Sequence, residues 1–319
     1  MIAVTLGVLV GLGGTAISTL GVEQYGCVLF VLLPIVIGAV VVLAAKPGAP
    51  ASEFRFGTIA GLTVGTIFLL GAILFCTALE GFACLVMATP LWAPLAILGG
   101  YVGRSLRFPS DPGVNHLVIW GLIATIPLGL GAEYIADPEP AVFQVQTAID
   151  INAPPEVVWN NVVAFPALAE PTEWLFKCGI AYPESASIVG HGAGATRFCT
   201  FSTGSFVEPI EVWDEPRLLR FRVTANPAPM TEWSAFQEVH PPHLEGFMVS
   251  KRGQFELLPL EGGGTRLVGT TWYQHGLGPE WYWRLWSDWI IHSIHRRVLN
   301  HIGRLAEQEK SAGAPVAHE

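Results

Sequence analysis

The stretch FQVQTAIDINAPPEVVW, residues 143–159, decides how the second half of this chain folds. Phe143, Val145, Ile149 and Ile151 alternate with Gln144, Gln146 and Asp150, the pattern of a strand with one face buried. The alternation stops at Asn152-Ala153. Pro154-Pro155-Glu156 then reads as a helix start. Proline fits the first turn, where its missing N–H has no partner to lose, and an acidic side chain suits the helix N-terminus. The helix runs on through Val157, Val158, Trp159, Val162 and Val163.

Working downstream, short strand-like runs follow at 182–189, 195–202, 205–213, 217–225, 247–258 and 265–274. Their breaks are Gly190-His191-Gly192-Ala193-Gly194, Asp214-Glu215-Pro216 and Glu261-Gly262-Gly263-Gly264, all of turn composition. In 217–225, Leu219, Phe221 and Val223 share one face while Arg220 and Arg222 share the other, as in a half-buried antiparallel strand. A long helix from about Pro279 to about Ala306 ends the domain. Ile291, Ile294, Val298, Ile302 and Leu305 recur on it at helical spacing and face a core, with Arg296, Arg297, Asn300 and Arg304 opposite. Strand, helix, antiparallel strands and one long helix make an α+β plan, in which the last helix lies across a curved sheet and encloses a cavity. The polar residues 309–319 are expected to form a disordered tail.

Upstream, five apolar stretches of the length needed to span a bilayer occupy 1–22, 26–45, 56–79, 82–103 and 117–136. Residues 1–136 are therefore expected to be an all-α transmembrane bundle of about five helices. Asp137-Pro138-Glu139-Pro140 and Ala141 form a stiff linker, and 142–308 form the α+β domain. Lys46, Arg55, Arg104 and Arg107 flank the second and fourth loops, so those loops are expected to be cytoplasmic. An odd number of spans then places the N-terminus in the cytoplasm and the C-terminal domain outside the cell membrane. No span carries a charge near its centre, which argues against a pump or channel. Glu133 is expected near the outer boundary, solvated. Gly57, Gly61 and Gly65, like Gly7 and Gly11, repeat every four residues. This pattern serves ordinary packing within the bundle or a homo-oligomer or membrane-complex contact. Pro90 and Pro94 lie inside the fourth stretch.

Residues 137–319 hold 13 Lys/Arg against 21 Asp/Glu, a net of −8, which argues against a nucleic-acid partner. The five cysteines have no metal-type spacing. Cys178 and Cys199 are candidates for a disulfide if the domain is exported.

The run Ile149-Asp150-Ile151-Asn152-Ala153-Pro154-Pro155-Glu156-Val157-Val158-Trp159 resembles the opening of the START-like, or SRPBCC, superfamily, in its polyketide cyclase/dehydrase branch. Val189 to Gly194 followed by Glu208, Trp213 and Glu215-Pro216-Arg217 fits the same pattern, as does the last helix. The resemblance covers about residues 142–308. It implies a helix-grip fold around a deep apolar cavity, and a ligand that is a lipid, sterol, polyketide or hormone. It carries over no catalytic residue, because the superfamily shares no catalytic motif.

Several residue sets are candidates for chemistry. Leu219, Phe221, Val223, Ile294 and Val298 are the expected cavity wall. Glu208, Tyr273 and His292 are the candidate catalytic groups, with Arg197 and His275 as further polar groups near a pocket. Asp288, His292 and His295 fall at i, i+4 and i+7, one stripe of the last helix, and offer the donor types of a metal site or an acid–base relay. The alternative is an Asp–His surface pair. No metal and no other cofactor is expected. His240-Pro241-Pro242-His243 reads as a rigid loop lacking further ligands nearby in sequence. Trp281, Trp283, Trp286 and Trp289, with Tyr282, suit a membrane interface, a pocket mouth or plain core packing.

Three functions follow from these residues. The first is a membrane-tethered binding module, or carrier, for a lipid-like or other apolar small molecule, with that molecule and the bilayer as partners. The second is a cyclase- or dehydratase-type enzyme on an apolar substrate. The third is a subunit or assembly factor of a membrane complex. The sequence leaves catalysis open and favours binding over bond chemistry.

Overall fold

The structure is a computed structural model, and it describes residues 1–108, 116–136, 139–235, 237–239 and 241–313. Parts of the expected linker (137–138), of the loop after the fourth apolar stretch (109–115), His240 and the last tail residues (314–319) lie outside the described residues. The chain divides into two compact units. One comprises Met1–Glu139, Glu232–Leu244 and Gly276–Trp283; the other comprises Pro140–Thr231, Glu245–His275 and Arg284–Glu319. The two short insertions into the first unit were not foreseen as part of it.

The first unit is helical. It holds α1 (Ile2–Ala16, prolonged by a π-turn to Gly21), α2 (Leu33–Ala44, preceded by a π-turn from Val28), α3 (Phe56–Cys76), α4 (Phe82–Arg107) and α5 (His116–Ala136). Among the described residues, three helices are long and apolar enough to cross a membrane: Ile2–Gly21, Phe56–Cys76 and Phe82–Arg107. The apolar helices Val28–Ala44 and Trp120–Ala136 are shorter. A two-stranded ribbon, β6 (Glu232–Ser234) with β7 (Gln237–Val239), belongs to this unit.

Glycine sets how closely these helices pack. A Cβ on Gly38 would overlap the Ala96 carbonyl oxygen, one on Gly99 that of Ile35, and one on Gly103 that of Ala39. The α2 and α4 backbones therefore touch, as small residues permit. Gly7 and Gly11 likewise sit against Val41, Thr66, Leu70 and Ile37. Among the described residues nothing lies within 4 Å of a Cβ added to Gly57, Gly61 or Gly65, so that ridge faces outward from the packed helices. Glu133 is not simply solvated: its Oε1 accepts the Val28 N–H at 3.0 Å, satisfying a donor at the start of the next helix. At the other end, Arg107 donates to the carbonyls of Val42, Ala45 and Lys46, where α2 ends.

In the second unit β1 (Val142–Ile151), β2 (Pro183–Val189), β3 (Thr196–Phe201), β4 (Gly204–Asp214), β5 (Leu218–Arg222), β8 (Met248–Pro259) and β9 (Thr265–His275) form one antiparallel sheet in the order β1-β9-β8-β5-β4-β3-β2. The β2–β3 turn carries Gly190, Gly192 and Gly194, all at positive φ, where a side chain would be strained. Helix α6 (Pro155–Val163) starts at the expected proline, and a short α7 spans Trp174–Lys177. The long helix α8 runs Glu280–Gly313. Its last turns are not the disordered tail expected from 309. Lys310 Nζ bonds Asn152 O at 3.0 Å and Ser311 Oγ bonds Glu307 O at 2.8 Å, so ordering residues 309–313 is offset by these bonds.

The core of this unit joins α6, the sheet and α8: Val158, Trp159, Val162, Leu219, Leu257, Leu267, Leu299 and Ile302 are all buried in one cluster. A curled antiparallel sheet with one long C-terminal helix is the helix-grip arrangement.

Candidate functional site: a cavity under the long helix

The concave sheet and α8 leave a cavity of about 140 Å³. Phe221, Val223, Ile294 and Val298 line it, together with Phe201, Phe206, Phe255 and Ile290. Leu219 does not. It is fully buried in the core cluster, where its side chain packs away from the empty space. The alternation that put Leu219 on the apolar face was right, but a face shared with the core does not line the cavity along its whole length.

One polar pair enters this apolar wall. Arg197 (β3) and Glu208 (β4) are cross-strand partners, and the Arg197 guanidinium donates to Glu208 Oε2. Arg197 is 1% and Glu208 6% exposed. Arg197 Nε donates to Val163 O at 3.2 Å. The guanidinium carbon lies 5.5 Å from the Phe255 ring centre and 5.7 Å from that of Phe221, within cation–π range. Arg197 Nη2 and Thr270 Oγ1 are buried without a hydrogen-bond partner among the described residues. Both residues line the cavity. Two unused donors in a dry wall favour an acceptor oxygen on whatever enters, because each costs free energy while unpaired.

Burial pushes the Glu208 carboxyl up, with Arg197 pulling against it. Burial also works against the Arg197 charge, but the adjacent Glu208 outweighs it and raises Arg197, which stays a cation. Burial, then Glu208, pushes the Cys199 thiol up to about 12. Cys199 is a neutral wall group rather than a nucleophile. It does not pair with Cys178 either: both are free thiols, so the disulfide considered above is not formed.

The stripe on α8 is divided among separate partners. Asp288 accepts a hydrogen bond from Tyr273 at 2.6 Å and pairs with Arg284 at 3.3 Å. His292 Nδ1 lies 2.8 Å from Thr147 Oγ1. His295 lies between Thr147 Oγ1 (3.0 Å) and Thr271 Oγ1 (2.8 Å). Asp288, His292 and His295 therefore do not converge on one ligand position; threonine hydroxyls and a phenol take up their polar atoms. Tyr273 is fully buried but does not line the cavity. Burial, then Asp288, raises its phenol. His292 does not line the cavity either, whereas Glu208 and His295 do. His275 is buried and stacks on Phe143 at 5.3 Å.

The tryptophans are not one ring. Trp283 is buried and packs edge-on against Phe30 at 4.7 Å, and Trp281 is 63% exposed. Trp286 meets Trp289, which in turn meets Trp174 at 5.6 Å. None of the four lines the cavity.

His295 gives a pH signature. Burial, then the neighbouring His292, lowers it to about 4. An unfolded histidine titrates near about 6.5, so the unfolded chain binds this proton more tightly than the folded one. Its contribution is fully present above pH ~6.5 and is lost as pH falls toward ~4, on the order of 2–3 kcal/mol. Urea unfolding at pH 7.5 and 4.5 should show this acid loss, and His295→Gln should reduce it. An unchanged loss in the variant would assign the effect to other groups.

This geometry, a sheet gripping a helix around an apolar cavity with one buried ion pair in its wall, defines a helix-grip domain. Residues 142–277 match the family described as polyketide cyclase / dehydrase and lipid transport. This segment is a polyketide cyclase/dehydrase domain of the SRPBCC type, and α8 completes it beyond the matched residues. Similar solved structures include norcoclaurine synthase from Thalictrum flavum, at 14% identity over 54% of this chain and 99% of that one, with a TM-score of 0.35. The Zhui aromatase/cyclase from Streptomyces sp. R1128 is similar at 14% identity over 55% of this chain and 99% of that one, with a TM-score of 0.36. No curated protein matches the chain.

Proposed function

We propose that this protein is a membrane-tethered binding module for an apolar small molecule that carries at least one acceptor oxygen. The observation that carries this reading is the apolar cavity with Arg197 Nη2 and Thr270 Oγ1 unpaired in its wall. At about 140 Å³ the cavity suits one ring or a short chain. It is close to the roughly 150 Å³ that holds benzene in an engineered cavity, and below the roughly 300–1,000 Å³ of drug-sized sites. A larger lipid or polyketide enters by displacing Phe206 or Ile294. The helices of the first unit hold the domain at the bilayer, where an apolar ligand is concentrated.

Native mass spectrometry of the full chain in mild detergent tests this. A defined apolar adduct is expected on the wild type. It should be lost in Ile294→Trp, which fills the cavity, while that variant keeps its melting temperature. No adduct on the wild type, or one that persists in Ile294→Trp, overturns the reading.

A cyclase- or dehydratase-type reaction is the second reading. Glu208 favours it: the carboxyl is raised by burial and lies on the cavity wall, the setting of a tuned acid or base. Conversion of the released ligand by wild type but not by Glu208→Gln would support it. The outward Gly57, Gly61 and Gly65 ridge supports a lateral helix contact in the bilayer. Crosslinking should capture that contact in the wild type and lose it in Gly61→Leu.

A further inference from the structure

A second buried cluster lies wholly within the helical unit. Glu80 sits in the turn before α4, Cys84 in the first turn of α4, and His243 in the short 3-10 turn Pro242–Leu244. One ligating atom from each lies within 4.8 Å of the other two. All three residues are buried, at 4%, 7% and 7% exposure. His243 Nδ1 is 3.7 Å from Glu80 Oε2, and His243 Nε2 is 3.7 Å from Glu232 Oε1. Both gaps exceed hydrogen-bond length. Neither imidazole nitrogen has a hydrogen-bond partner among the described residues, and neither does Glu80 Oε2. The other Glu80 oxygen accepts from Tyr25 at 3.3 Å. Glu232 accepts the Ala83 and Cys84 N–H groups at 3.0 and 2.9 Å, which fixes it at the N-terminus of α4. No Lys or Arg forms an ion pair with Glu80 or Glu232 among the described residues.

Two carboxylates, a thiol and an imidazole thus share one buried site, with Glu80 Oε2 and both His243 nitrogens unpartnered in it. Such a group set is costly unless a cation joins it. We propose that Glu80, Cys84 and His243 bind one Zn²⁺ ion, with Glu232 orienting His243 from behind.

The donor set is the mixed sulfur, nitrogen and oxygen type that zinc accepts. With metal–ligand bonds of roughly 2.0–2.3 Å, tetrahedral ligand edges are about 3.3–3.8 Å. The 3.7 Å separation of His243 Nδ1 from Glu80 Oε2 is already such an edge. Glu232 stands 3.7 Å from the far nitrogen, on the side that a carboxylate takes in a carboxylate–histidine–metal arrangement. A thiolate and the Glu80 carboxylate balance the ion's two charges, and the Glu232 carboxylate is held by the Ala83 and Cys84 N–H groups. A cavity of about 30 Å³ adjoins the set, its wall including both Glu80 and Cys84. That is room for one water-sized ligand. The sequence hid this set because its members stand at 80, 84, 232 and 243. His243 looked like part of a plain proline loop until the fold brought its partners to it.

The test uses the full chain in detergent, stripped with a chelator and resupplied with Zn²⁺ alone. After gel filtration the wild type should retain about one equivalent by elemental analysis and melt higher than the stripped form. Cys84→Ser and His243→Gln should each drop retained zinc to background. Glu232→Gln should weaken binding roughly 10- to 100-fold. Co²⁺ in place of zinc should give a thiolate charge-transfer band that Cys84→Ser lacks. Wild-type protein that retains no zinc and shows no zinc-dependent melting overturns the proposal, as does full retention by both Cys84→Ser and His243→Gln. If either variant fails to fold, wild-type stoichiometry and the Co²⁺ spectrum still decide.

Discussion

Arg197→Met should cost the helix-grip domain about 3–5 kcal/mol of stability, because it leaves the Glu208 carboxylate buried without its cation. Both residues are nearly inaccessible, at 1% and 6% exposure, so water cannot replace the lost partner. Urea unfolding followed by the fluorescence of Trp159 and Trp213, which pack together at 5.6 Å in this unit, reports the change. The sign of the pH dependence is a second check. Without Arg197 the folded-state pKa of Glu208 rises further above its unfolded value. A raised carboxyl contributes stability at low pH that is lost as pH rises through the folded pKa. The Arg197→Met penalty should therefore be larger at pH 7 than at pH 5. The double change Arg197→Met with Glu208→Leu should recover most of the loss, since replacing a whole buried pair by apolar groups is often neutral or stabilising. If the single variant is as stable as the wild type, the pair is not the ionic contact described above. If the double variant folds but no longer retains the ligand, the pair is kept for recognition rather than stability.

Gly99→Val should prevent the helical unit from assembling. An added Cβ overlaps the Ile35 carbonyl oxygen, and Gly38 and Gly103 meet backbone in the same way. Ordinary overpacking costs about 1–3 kcal/mol because neighbouring side chains yield. Backbone in a hydrogen-bonded helix does not yield, so the expected loss exceeds about 3 kcal/mol. Monodisperse protein recovered from detergent after mild heating is the readout. Gly61→Ala is the matched control: nothing lies within 4 Å of its Cβ, and alanine favours helix over glycine by about 1 kcal/mol. Equal behaviour of the two variants would mean that α2 and α4 do not pack backbone to backbone.

Local pattern carried far in this chain. The alternation in Phe143–Ile151, the Pro154-Pro155 helix start and the spacing of Ile291, Ile294, Val298 and Ile302 specified β1, α6 and the inner face of α8, because each depends on neighbours in sequence. The apolar stretches marked the helices of the first unit for the same reason. The length of the last helix was read short, since its end depends on Lys310 reaching Asn152.

What tertiary structure decided is which side chains meet. Arg197 faces Glu208 only because β3 and β4 pair in one register. Leu219 and Phe221 look equivalent on one strand face, yet the first is fully buried in the core and the second lines the cavity. Asp288, His292 and His295 look like a ligand set on a helical wheel, yet Tyr273, Thr147 and Thr271 take their polar atoms. Gly57, Gly61 and Gly65 look like the packing ridge, yet Gly38, Gly99 and Gly103 are the residues that let two helix backbones touch. Periodicity states which face of an element is apolar. It does not state what that face covers, because that depends on elements distant in sequence, and the cavity and the Glu80, Cys84 and His243 cluster are both built from such distant contacts.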